Sequence, residues 1–164
     1  ISTKGHVPAY RAVGDVEIVA LCDINQERAR QVGAELGIPH TYSDYRQLLE
    51  QETLDLVSVC SPNVFHAQMT IDALEAGAHV LCEKPMALTY QDACAMVETS
   101  RRTGRSLTVG HSMRYEPAVM VAKKRILEGD LGKIYYAKAS YLRRSGIPGY
   151  GSWFTNKDLA GGGG

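Results

Sequence analysis

The chain has 164 residues, of which 45% are hydrophobic and 22% charged, and its formal net charge is zero. This composition fits a packed core and excludes a disordered chain, and the length suits one domain with part of another. Balanced charge gives no pull toward nucleic acid or an anionic membrane surface, and no apolar run approaches the roughly 20 residues that a membrane helix needs.

The predicted elements follow one another in a regular order. Val16 to Cys22 is short and rich in branched residues, as a buried strand is. Gln26 to Leu36 reads as a helix closed by Gly37. Ile38 to Tyr42 reads as a short strand, and Ser43 as the cap of a helix from Asp44 to Glu50. Leu56 to Cys60 is a strong strand, and a helix from about Val64 to Ala76 follows it and stops at Gly77. His79 to Cys82 is the next strand. Thr89 with Asp92 makes a capping-box pattern that opens a helix to Thr103. Ser106 to Gly110 is a further strand, and Pro117 suits the first turn of a helix to Glu128. Strands separated by helices of this length form parallel β-α-β units, so the expected fold is α/β with an open, doubly wound parallel sheet.

The pattern changes after Asp130. Ile134 to Leu142 reads as a long strand with Tyr135, Ala137, Ala139 and Tyr141 on one face, which fits an antiparallel sheet with one wetter face. The expected division is therefore residues 1–130 and 131–164, with Gly161 to Gly164 either a flexible tail or the start of a buried segment. The four cysteines, Cys22, Cys60, Cys82 and Cys94, are far apart and form no C-x-x-C pair, so no metal site is expected. Three of them end apolar runs, where a thiol serves as a small hydrophobe, and reduced thiols point to the cytoplasm.

In an open parallel sheet, ligands bind outside the carboxyl ends of the strands. Polar residues gather there: Asp23 and Asn25, Ser61 and Asn63, Glu83 and Lys84, and His111 after Gly110. Two roles are open to Asp23. A carboxylate at that point of a dinucleotide fold accepts hydrogen bonds from the adenosine ribose and repels the extra phosphate of NADP, but Asp is also a favoured helix cap. Lys84, braced by Pro85 and beside Glu83, either presents its ammonium to a substrate hydroxyl or forms a surface ion pair at a turn. Ser61 and Asn63 either face a cofactor or cap the next helix. His66 and His111 are candidate ligands or acid–base groups by position, and a lone histidine is more often structural. No G-x-G-x-x-G loop is present.

The stretches "EIVALCD", "SPNVFHA", "AGAHVLCEKPMALT", "VGHSMRYEPA" and "LGKIYYAKASY" stand in an order and spacing that resemble the Gfo/Idh/MocA oxidoreductases, the family of inositol dehydrogenases and glucose–fructose oxidoreductase. The resemblance implies a Rossmann domain followed by the beginning of an α/β domain with a large, open, mostly antiparallel sheet that mediates homodimers or homotetramers. It implies NAD as cofactor, with Lys84 as the active-site lysine and a cis Lys84–Pro85 bond. It further implies that Asp23 binds the ribose with Ile24 and Arg28 beside the adenine, and that Ser61, Asn63 and His66 line the dinucleotide. Glu83 and Trp153 would lie near the nicotinamide, and Ser2 and Thr3 would end the glycine loop. The family's first strand would lie before Ile1 and its D-x-x-x-H motif after Gly164, so the 164-residue piece alone is expected to bind NAD weakly and turn over poorly.

Three functions compete. The leading one is hydride transfer between NAD and a secondary alcohol of a sugar, cyclitol or related small molecule. A second is an oxidoreductase that never releases its cofactor. A third is a nucleotide-sensing protein that keeps the fold without the chemistry. Arg143 and Arg144 would either favour a carboxylate or phosphate on the substrate or form a solvated edge.

Overall fold

The computed structural model describes residues 2–142, 144–146 and 149–162. Five strands and seven α-helices lie in it: α1 (Val7–Val13), β1 (Ala20–Cys22), α2 (Gln26–Leu36), β2 (His40–Tyr42), α3 (Tyr45–Gln51), β3 (Leu56–Val59), α4 (His66–Glu75), β4 (His79–Cys82), α5 (Tyr90–Thr103), β5 (Leu107–Val109), α6 (Pro117–Leu127) and α7 (Lys157–Ala160). All the described strand pairs are parallel. β1 pairs with β2, and β3, β4 and β5 pair in that order. The expected parallel α/β architecture is present, but in two sheet pieces. No described strand lies between β1 and β3, where a doubly wound sheet places its central strand.

Local chemistry explains most element ends. Asn25 caps α2 by accepting from Arg28 N, and Gly37 closes the helix with φ 63°. Thr89 caps α5 through Asp92 N, and the Asp92 carboxylate accepts from the Thr89 hydroxyl at 2.8 Å. Asp44, not Ser43, caps α3 by accepting from Arg46 N. The expected helix from Val64 begins as a 3-10 turn, Asn63–Phe65, with Phe65 N donating to Pro62 O at 3.0 Å, and becomes α-helical only at His66. Of Val16 to Cys22 only Ala20–Cys22 pairs, since β2 offers three residues of edge.

The core lies between β3–β5 and the α4–α5 pair. Leu74, Met96, Val80 and Cys82 are fully buried there, with Val59 beside them. Burying each large aliphatic side chain contributes about 1.5–3 kcal/mol. Gly33 on α2 faces β2 so closely that a Cβ would come within 2.5 Å of Thr41 Cγ2, so only glycine lets that helix reach the strand.

Two features differ from the sequence reading. Ser2–His6 forms a π-helical turn that runs into α1, where Ser2 and Thr3 were expected to end a loop. Pro8 in the first turn and Gly14 after the last residue are the start and stop signals for α1. The second correction is Ile134 to Leu142, which forms no strand and is exposed throughout. A strand needs another strand to satisfy its N–H and C=O groups, and none of the described strands pairs with this stretch.

Candidate functional site

The loops after β1, β3, β4 and β5 carry the polar residues singled out above. Asp23 follows β1, and its N–H donates to Tyr42 O at 3.1 Å. Its Oδ1 accepts from Asn25 N at 2.9 Å, while Oδ2 lies 3.6 Å from Arg28 Nε. Since Asn25 is the cap of α2, Asp23 is spared that task. A carboxylate with one oxygen on the main chain and the other loosely beside an exposed arginine keeps lone pairs toward solvent, which is the acceptor set that a ribose diol requires. Ile24 next to it is 92% exposed and offers a bare apolar face to a flat ring.

After β3, Ser61 is half-buried and its hydroxyl donates to Pro62 O at 3.3 Å. Asn63 donates from Nδ2 to Ala160 O at 2.9 Å, which ties α7 to this loop. His66 is 1% exposed, with Nδ1 2.7 Å from Pro85 O and Nε2 3.0 Å from Ser61 O. Its ring therefore joins the loops after β3 and β4 from beneath.

After β4, Glu83 is followed by the cis Lys84–Pro85 bond. Lys84 is exposed and lines a cavity of about 300 Å³ with Gly110, His111, Ser112, Met113 and Arg114. Glu83 points the other way. Its Oε1 accepts from His6 Nε2 at 2.9 Å, and its Oε2 accepts from Lys84 N at 3.2 Å. His6 Nδ1 meets Ser58 Oγ at 3.1 Å, and Ser58 Oγ meets the Tyr10 hydroxyl at 2.6 Å. Sequence reasoning missed His6, Tyr10 and Ser58, because their meeting depends on α1 lying against β3. Trp153 sits in a 3-10 turn, half-buried, with its ring stacked on Phe154 at 3.8 Å. Arg144 is exposed, and Arg143 lies outside the described residues.

The thiols near this edge are poor nucleophiles. Burial, then the Glu83 carboxylate, pushes Cys60 up to about 12, and burial, then Asp44 and Asp23, pushes Cys22 up to about 11. Among the described residues no cluster of histidine, cysteine and carboxylate could hold a metal ion.

A parallel α/β body with a carboxylate directly after one strand and an exposed lysine after another is the arrangement of a dinucleotide-binding domain of the Rossmann class. The profile of the Gfo/Idh/MocA proteins, described as an oxidoreductase family with an NAD-binding Rossmann fold, matches residues 1–111, and the chain belongs to that family. The D-glucoside 3-dehydrogenase of Escherichia coli (strain K12) is 40% identical over 163 residues, 99% of this chain and 46% of that protein. Levoglucosan dehydrogenase, solved in complex with NADH, superposes with a TM-score of 0.82 at 30% identity, covering 99% of this chain and 46% of its own. The WlbA dehydrogenase from Bordetella pertussis, solved with NADH and UDP-GlcNAcA, gives a TM-score of 0.77 at 32% identity over 82% of this chain and 41% of its own. The chain thus spans just under half the length of these relatives.

Proposed function

We propose that this chain is the nucleotide-binding part of an NAD-dependent dehydrogenase that oxidises or reduces a secondary alcohol of a sugar, cyclitol or related small molecule. One observation carries the reading: Asp23 and Lys84 each directly follow a parallel strand, one with free acceptor positions and the other on an open cavity. Similar proteins that act on a glucoside and on levoglucosan support the substrate class.

Asp23 would accept the adenosine ribose hydroxyls, and its charge would repel a phosphate there. Ile24 and Arg28 would flank the adenine, and Ser61 and Asn63 would border the dinucleotide. Bound NAD supplies the hydride acceptor or donor. Lys84 would hold the substrate oxygen and help move its proton, working from a cavity that His111 also lines. Trp153 would close the nicotinamide side. We place a boundary near Asp130, just past α6, with residues 131–164 opening a second domain whose sheet joins copies of the chain. The described helices include none long and apolar enough to cross a membrane, and we propose a cytoplasmic homo-oligomer.

Fluorescence titration of the full-length gene product with NADH and NADPH tests this reading. NADH is expected to bind about tenfold tighter or better, and Asp23→Ala to remove that preference, since like-charge juxtaposition is what disfavours the phosphate. Equal affinities in the unmodified protein would overturn it. Lys84→Ala is expected to lower kcat by about a hundredfold or more on a polyol substrate with NADH affinity retained.

A further inference from the structure

The Glu83 carboxylate has a donor on each oxygen and lies where only a glycine at position 110 leaves it room. His6 Nε2 stands 2.9 Å from Oε1, the Lys84 main-chain N–H 3.2 Å from Oε2, and a Cβ on Gly110 would approach Oε1 to 3.1 Å. The His6 and Glu83 side chains are only 10% and 17% exposed. The chain of contacts closes with one donor per link when His6 carries its proton on Nε2: Tyr10 O–H donates to Ser58 Oγ, Ser58 O–H to His6 Nδ1, and His6 Nε2–H to Glu83. Ser58 is no nucleophile in this arrangement, because it sits within β3 under the Tyr10 hydroxyl. All of this order converges on the residue whose carboxylate grips the N–H of Lys84.

We infer that His6 is a positioning residue that acts through Glu83 to fix the turn carrying Lys84. The inference rests on Lys84 being the active-site lysine. The His6 contact holds one oxygen of the carboxylate and leaves the second on the Lys84 amide, in space that is open because residue 110 is glycine. The direction in which the lysine leaves the strand end follows from that grip. A displacement of about 1 Å at a reacting group can lower a rate a hundredfold. His6 touches neither substrate nor cofactor in this scheme.

The imidazole's two contacts can be separated by substitution. The amide of glutamine reaches where Nε2 stands, and that of asparagine where Nδ1 stands. His6→Gln keeps the contact to Glu83, whereas His6→Asn keeps the one to Ser58. Both variants of the full-length gene product are compared with the unmodified protein for kcat, KM, NADH affinity and Tm. The rate of Lys84 acylation by an amine-reactive reagent is read by mass spectrometry in cofactor-free protein. The expected result is that His6→Asn lowers kcat about tenfold and changes the acylation rate about threefold or more, with KM and NADH affinity within about twofold, while His6→Gln restores both rates. Equal loss in both variants, no loss in either, or rescue by asparagine instead of glutamine would overturn the inference and leave His6 as an anchor of α1 on β3. Lys84→Ala run beside them separates the two readings. If that variant keeps turnover, the assignment of Lys84 itself is wrong, whatever His6 does.

Discussion

Between Ala20 and Gly110 the main chain finds hydrogen-bond partners far along the sequence, as when His79 N donates to Asp55 O, Val80 N to Ser106 O and Glu83 N to Val59 O. Between Ser112 and Gly132 the described main-chain bonds reach no further than from Asp130 N to Arg125 O. The first region holds the buried core, while the second buries no residue at all. Yet α6 forms in the second region, whereas the expected strand from Ile134 to Leu142, just past it, does not form. A helix closes its own N–H to C=O bonds four residues apart, so it can form on propensity and a proline start. A strand has no internal partners, and β-branched or aromatic alternation remains only a disposition until another strand lies alongside. The difference separates two kinds of sequence signal: those that suffice locally, and those that name a partner without supplying it.

Amide hydrogen exchange gives the largest expected contrast. The amides of His79–Cys82, on the strand paired on both sides, should exchange about a thousandfold or more slowly than those of Ile134 to Leu142, because the former open only with the core. Comparable rates in the two segments would break the comparison. Leucine truncation sharpens it. Leu74→Ala in the core is expected to cost about 2–5 kcal/mol in urea unfolding, whereas Leu127→Ala, 75% exposed on α6, should cost less than about 0.5 kcal/mol.

Two pH effects of the first region are smaller. The folded-state pKa of Cys60 is raised to about 12 and that of Cys22 to about 11, so the unfolded chain loses these protons first. Their share of stability is complete below about pH 8.5, where an unfolded thiol begins to ionise, and is lost as pH rises toward those values. Tm should fall between pH 8 and pH 11, and less steeply in Cys60→Ala. Glu52 is the opposite case. The Tyr42 hydroxyl donates to it at 2.5 Å and His40 lies 2.6 Å away, which holds its carboxyl below the ordinary value. That contribution is present above about pH 4.5 and disappears as pH falls through the depressed folded-state value. Acid unfolding of Glu52→Gln should therefore show a shallower dependence, while substitutions after Ser112 leave both pH profiles unchanged.

The sequence made the parallel α/β order legible because caps and glycine stops are short-range chemistry: Thr89 with Asp92, and Gly37 and Gly104 after their helices, although the cap of α2 is Asn25 and not Asp23. Asp23 and Lys84 were legible for a related reason, since each stands directly after an apolar run. His6 was not. Nothing within a few residues of it marks Ser58 or Glu83, which lie 52 and 77 positions away and meet it only once α1 rests on β3. His66 was legible as a residue of interest, but its place under two loops, held by Ser61 O and Pro85 O, required the turn of the chain after β4. The division of the parallel strands into two pieces, β1 with β2 and β3 to β5, was not legible, because apolar runs mark strands without naming their neighbours.

The bond from Asn63 to Ala160 has a consequence for the stretch it spans. It returns the chain at Ala160 to the loop after β3, so the excursion that leaves β5 is closed into a loop rather than left as a free end. The entropy of closing such a loop grows only with the logarithm of its contour, about 0.6 kcal/mol per doubling. A single hydrogen bond contributes on the order of 0.5–1.5 kcal/mol. Inserting a dozen residues into the excursion should therefore disturb the seat of α7 less than removing one amide from position 63, so length polymorphism is far cheaper there than a change at the clasp.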